Sequence, residues 1–177
     1  MVTHKGSHGT TKVIAEKIKK DGFKVSGGQF VSGAYFWLES YLYVELAIGW
    51  YKYRLQRYKK DEASPECAVI IAELSCKDEE FIDLERQDFV DRLAKLAESM
   101  ATPQNNDREI FALYAYAINE LERIGKISFK LFLLKTPPPD EAYCPRYKRR
   151  IFGYPTCVIA RSNKNISIKD INHIKRV

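Results

Sequence analysis

The sequence predicts one mixed α+β domain, and three observations carry that expectation. Several stretches repeat apolar residues at helical spacing, as in Leu42, Leu46, Trp50 and Tyr53. Two compact runs rich in branched residues, Cys67–Leu74 and Ile127–Leu134, read as buried strands. Between them lie short glycine-, proline- or polar-marked breaks, with no repeat, low-complexity segment or linker. A length of 177 residues suits one domain with a sizeable core, taken as 1–177.

In chain order, a first helix is expected over Thr10–Asp21. Thr10 or Thr11 can cap it, Ile14 and Ile18 recur at i,i+4, and Gly22 stops it. Lys17, Lys19 and Lys20 suit its C-terminal dipole. Residues Phe23–Phe36 hold two short extended pieces around Gly27-Gly28 and Gly33. A longer helix runs from Ser40 to about Lys59. After the strand at Cys67–Leu74, Phe81–Leu84 is short and extended, and a helix over Gln87–Met100 turns Phe89, Leu93, Leu96 and Met100 inward. Asp107–Ile124 forms the next helix, with Ile110, Leu113, Ala117 and Leu121 as its stripe and Gly125 as its stop. A proline-marked loop from Thr136 reaches about Tyr154, and Thr156–Arg161 and Ile166–Ile171 are the closing strands.

An apolar content of 45% and a charged content of 29% are those of an ordinary globular protein. No apolar run approaches the roughly 18–20 residues that span a bilayer, and Met1–Gly6 has no signal-peptide core. Cys67, Cys76, Cys144 and Cys157 lack C-x-x-C spacing, which argues against a disulfide framework or zinc site and for reduced thiols in a cytoplasm. His4 and His8 are four apart around Gly6 where no helix is expected, so no metal pair is assigned. The net charge of +6 gathers in Lys52–Lys60 and Arg146–Arg150, where cations alternate with tyrosines. Such interleaving suits phosphates and stacked bases, and equally a solvated helix face and a basic loop.

The order of motifs in Ser7–Phe36 is more informative than any one of them. His8-Gly9-Thr10 opens the first helix, Gly22-Phe23 closes it, and Gly33-Ala34-Tyr35-Phe36 follows a glycine-spaced loop. With the helix bearing Ala47 and Trp50, this resembles the ADP-ribosyltransferase fold, in particular its histidine–tyrosine branch of poly(ADP-ribose) polymerases and small bacterial toxin and phage-defence transferases. The resemblance runs from Ser7 to about Trp50, continues more weakly over Cys67–Leu84, and returns at Thr156–Ile166. It implies split, mainly antiparallel sheets flanked by helices, with NAD as co-substrate and no metal.

By the same resemblance His8 would bind the adenosine ribose, the Gly9 backbone would hold the nicotinamide carboxamide, and Tyr35 would stack on the nicotinamide. Thr10 and Ser32 are lesser contacts, and Trp50 is either a pocket wall or core packing. The family's third group, a glutamate or glutamine that stabilises an oxocarbenium-like transition state, aligns with Thr156 or Cys157. Glu109 or Glu141 could replace it, or it is absent. The expected activity is mono-ADP-ribosyl transfer to nucleic acid, contacted by Lys52, Arg54 and Arg57, or to protein, with an antitoxin partner. A catalytically degenerate module that binds NAD or nucleic acid is the alternative, and NAD hydrolysis or RNA 2′-phosphate removal a third reading.

Overall fold

The structure, a computed structural model, describes residues 1–25, 31–57, 66–99, 107–138 and 153–174, with the backbone alone at 57 and 107–109. Its elements are β1 (Val2–Thr11), α1 (Lys12–Asp21), β2 (Ala34–Leu38), α2 (Tyr43–Arg57), β3 (Cys67–Cys76) and β4 (Phe81–Asp83). These are followed by α3 (Gln87–Ser99), α4 (Asp107–Gly125), β5 (Leu131–Lys135), β6 (Thr156–Ala160) and β7 (Ile166–Ile174). The seven strands lie in the order β4-β5-β6-β2-β1-β3-β7. Every pairing is antiparallel except β4–β5. This is the α+β class, with a mostly antiparallel sheet and flanking helices, that was expected.

Strand β1 was not foreseen. It pairs with β3 along its whole length, from Val2↔Cys76 to Thr11↔Cys67. That ladder carries His8, Gly9 and Thr10 inside a strand rather than at a helix mouth. The helix therefore begins at Lys12, with the Thr11 hydroxyl accepting the Ile14 N–H at 3.2 Å as its cap. On its other edge β1 meets β2 only at Gly6↔Leu38 and Ser7↔Trp37. Beyond Ser7 the two strands part, while β2 stays on β6 through Ala34↔Ala160. The sheet is thus two halves, joined at a short seam that opens into a split.

Alternation along the strands builds two cores. Cys67, Val69 and Ile71 face α2, α3 and α4 together with Trp37, Phe132 and Ile159. Ala68, Ile70, Ala72 and Leu74 face α1 together with Phe36, Val158 and Leu131. Helix α2 does not bury the stripe that its spacing suggested. Leu42 in the preceding turn, with Leu46, Ala47 and Tyr51, is in the core, while Trp50 is half-exposed and stacks on Tyr53 with centroids 5.5 Å apart. Helix α4 packs Leu113, Ala117 and Leu121 of its expected stripe against the same core, but Ile118 is its deepest residue and Ile110 is 45% exposed. One ion pair, not foreseen, docks the end of α4. Arg161 Nη1 donates to Glu122 Oε1 at 2.6 Å, and the same oxygen accepts the Phe129 N–H at 2.7 Å.

Helix α2 lies on β1 with little between them. The Ser7 hydroxyl donates to the Tyr43 carbonyl, and a Cβ at Gly9 would collide with the Ala47 carbonyl. No side chain fits at position 9 unless α2 moves. Gly9→Ala should therefore cost about 3 kcal/mol or more, as overpacking of a close contact does, read as a lowered urea midpoint. Gly125→Ala, which meets only the Ile127 side chain at 3.2 Å or more, should cost less than about 1 kcal/mol. Equal midpoints for the two variants would contradict the close packing of α2 on β1.

Candidate functional site

The motif residues converge on the split between β1 and β2. His8 and Tyr35 lie on its two sides and are joined across it, with His8 Nδ1 2.8 Å from the Tyr35 carbonyl oxygen. A carbonyl can only accept, so Nδ1 carries the proton and a neutral His8 presents Nε2 as an acceptor. The rings themselves do not meet. His8 points to the α1 side, where Phe23 stands edge-on at 5.2 Å and Phe36 lies at 5.7 Å. Tyr35 packs against the core on the α2 side, its hydroxyl donating to the Val31 carbonyl at 2.8 Å.

Part of the His8 surface stays accessible, yet its ring is packed among aromatics, and that desolvation holds its pKa below the ordinary imidazole value. The hydrogen bond to Tyr35 opposes the shift, and the positive charge of Arg54 adds to it. His4, further along β1 on the same face, is also held low by desolvation, against the raising effect of Asp83. Four strand residues separate these histidines by about 13 Å, which rules out a shared metal ion. Among the described residues no group of three or more His, Cys, Asp or Glu is arranged to hold a metal.

The other expected contacts are distributed unevenly. Gly9 is buried, paired to Val69 and covered by the Ala47 carbonyl of α2. Thr10 is 3% exposed and its hydroxyl has no partner among the described residues. Ser32 is exposed on the segment leading to β2. Lys52 and Arg54 do not form one basic face. Two residues on a helix are about 200° apart, and accordingly the charge of Lys52 acts on Cys67 while that of Arg54 acts on His8.

The aligned third position also lies in the sheet. Thr156 opens β6 opposite Lys135 and is half-buried. Cys157, opposite Trp37 and Leu134, is buried in the α2-side core, and its thiol is pushed up to about 12 by desolvation. A thiol so protonated is no nucleophile. Among the described residues no carboxylate is one of the charges that act on His8. The Glu109 and Arg57 side chains, Glu141, Cys144, the Gly27-Gly28 turn, the Arg146–Arg150 cluster and the end of the Lys52–Lys60 cluster lie outside the described residues.

One contributor had no signal in the sequence. Asn163, in a 3-10 turn after β6, clamps the backbone of Phe23. Its Oδ1 accepts the Phe23 N–H at 2.8 Å and its Nδ2 donates to the Phe23 carbonyl at 2.9 Å. Gly22, at φ 81°, lets this side chain approach the main chain. The clamp fixes Phe23 against the His8 ring across a sequence separation of 140 residues.

Away from the split, β4, α3 and α4 border a surface cavity of about 290 Å³. It is floored by Phe81, Phe89 and Phe129 and rimmed by Asp83, Arg86 and Arg92. None of the motif residues lines it.

Because both imidazoles are held below about 6.5, the unfolded chain binds more protons than the folded one once the pH drops under that value. Folded-state stability should therefore be lost on acidification below about pH 6.5. Urea midpoints measured at about pH 7.5 and about pH 5.5 should fall less for His8→Gln, and less for His4→Gln, than for the wild type. Equal falls in all three proteins would contradict the assigned desolvation.

No protein-family model matches the chain, and no curated protein matches it.

Proposed function

We propose that the chain is an NAD-dependent mono-ADP-ribosyltransferase of toxin type, modifying a nucleic acid (RNA or DNA) or a protein and releasing nicotinamide. The observation that carries this reading is the pairing of His8 with Tyr35 across a split between two strands. Two residues chosen from motif order alone, on neighbouring strands, are joined by one hydrogen bond. In this reading the His8 Nε2 accepts a hydroxyl of the adenosine ribose, the Gly9 backbone holds the carboxamide, and Tyr35 offers a ring face to the nicotinamide. Thr10 and Ser32 supply hydroxyls, and Trp50 is a wall free of the core.

The reaction breaks the bond between the nicotinamide nitrogen and C1′ of the ribose. Positive charge develops on that sugar as nicotinamide leaves with the bonding pair, and the acceptor's lone pair then forms the new bond to C1′ while its proton is lost. The protein's contribution is to hold NAD bent and exclude water from C1′. A neutral His8 suits its contact, because its Nε2 then has a lone pair to accept the adenosine-ribose hydroxyl. The toxin class implies a cytoplasmic setting and an antitoxin that masks the split. Among the described residues no helix is long and apolar enough to cross a membrane.

A second reading is favoured by one observation: neither Thr156 nor Cys157 is a carboxylate, and no carboxylate among the described residues acts on His8. In that reading the fold binds NAD or nucleic acid without transfer. Incubation with NAD labelled in the adenylate half, together with mixed RNA, DNA and protein, separates the two. Transfer by the wild type should drop about 100-fold in His8→Ala and in Tyr35→Ala, as loss of a transition-state contact does. Label transfer that survives both substitutions would sink the site assignment. NAD binding without any transfer would establish the binding module instead.

A further inference from the structure

Arg54 is a cation on α2 with no hydrogen-bond or ion-pair partner among the described residues. Helix α2 runs along β1 in the same direction, because Ser7 meets Tyr43 and Gly9 meets Ala47. Two residues of strand thus match four of helix, each about 6–7 Å. Seven residues beyond Ala47 the helix has turned about 700°, within about 20° of the same meridian, and has advanced about 10.5 Å. Arg54 therefore leaves α2 on the side that faces β1, past Thr11 and over the end of the split.

It is half-exposed. The field of Arg54 reaches the His8 ring. A partly desolvated guanidinium without a counter-ion is costly, and its planar fork of donors matches two oxygens of a phosphate better than an ammonium does. A polynucleotide would need several cations on one face. Lys52 leaves the same helix about 160° away, so this meridian offers one fork and not an array.

We propose that Arg54 binds the diphosphate of a dinucleotide lying in the β1–β2 split, making the site selective for diphosphate-bridged dinucleotides over nucleosides and free bases. The assignment rests on the NAD reading above. It removes Arg54 from the nucleic-acid surface on which the sequence placed it, and gives the His8 pocket an anchor at its far end. Trp50, four residues before Arg54 and stacked on Tyr53, stands beside that anchor as an aromatic face.

Calorimetric titration of the full chain tests this, using inorganic pyrophosphate, NAD, nicotinamide and a single-stranded oligoribonucleotide on the wild type, Arg54→Lys and Arg54→Ala. Arg54→Ala should weaken NAD and pyrophosphate by about 10- to 100-fold, the range of one lost charge-assisted bidentate contact. It should leave nicotinamide unchanged, and Arg54→Lys should retain part of the affinity. Pyrophosphate and NAD binding that is equal in the wild type and Arg54→Ala, or no pyrophosphate binding by the wild type, overturns the proposal. So does a loss confined to the oligoribonucleotide. Failure of the wild type to bind nicotinamide instead overturns the NAD reading, and with it the dinucleotide assignment. Thermal midpoints within a few degrees across the three proteins exclude misfolding as the cause.

Discussion

The approach of α2 to β1 is the constraint on which the rest of this structure depends. At Gly9 the strand has no side chain, and the helix backbone takes that space with the Ala47 carbonyl. At Ser7 a hydroxyl too short to hold the helix off bonds the Tyr43 carbonyl instead. Two small residues thereby set the direction and height of α2. Its position determines that Tyr51 is buried, that Trp50 is left outside the core, and that Arg54 overhangs the end of β1.

The electrostatics follow from that arrangement. His8 is fixed by a carbonyl, walled by Phe23 and Phe36, and exposed to the field of Arg54, so its imidazole stays neutral. Its proton sits on the nitrogen that faces Tyr35 and its lone pair on the other. Burial of Cys157 has the corresponding effect on a thiol, which stays protonated and inert. His8 and Cys157 are thus both held in their neutral forms.

Much of the fold was legible because apolar periodicity marks it. The run Cys67–Leu74 became β3, Gln87 began α3 and Asp107 began α4 as their caps and stripes indicated. β1 was missed for the opposite reason. Its sequence, V-T-H-K-G-S-H-G-T-T, has few apolar residues, since close helix packing on one face selects glycine and serine and leaves no hydrophobic alternation to read. The stripes of α2 and α4 were right at Leu42, Leu46, Leu113, Ala117 and Leu121 and wrong at Trp50 and Ile110, which are apolar yet lie outside the core, while Ala47 and Ile118 are the deepest contacts of these helices. Of the candidate site, His8, Gly9 and Tyr35 were found from motif order. Asn163 was not, because a bond between residues 140 apart leaves no local trace. The basic stripe was half legible: composition reveals the charge of Lys52 and Arg54, but only the helical phase reveals that they diverge.

Ligand binding in the split, with His8 and Tyr35 as its two walls, is the central claim. Amide hydrogen exchange followed by mass spectrometry, with and without saturating NAD, tests it most directly, since strand edges that lack ladder partners exchange readily until a ligand covers them. Protection should rise in peptides covering residues 8–11 and 31–36 and at the C-terminal half of α2, and should stay unchanged along β7. Protection confined to β4 and α3, beside the separate cavity there, or no change anywhere, would contradict the account.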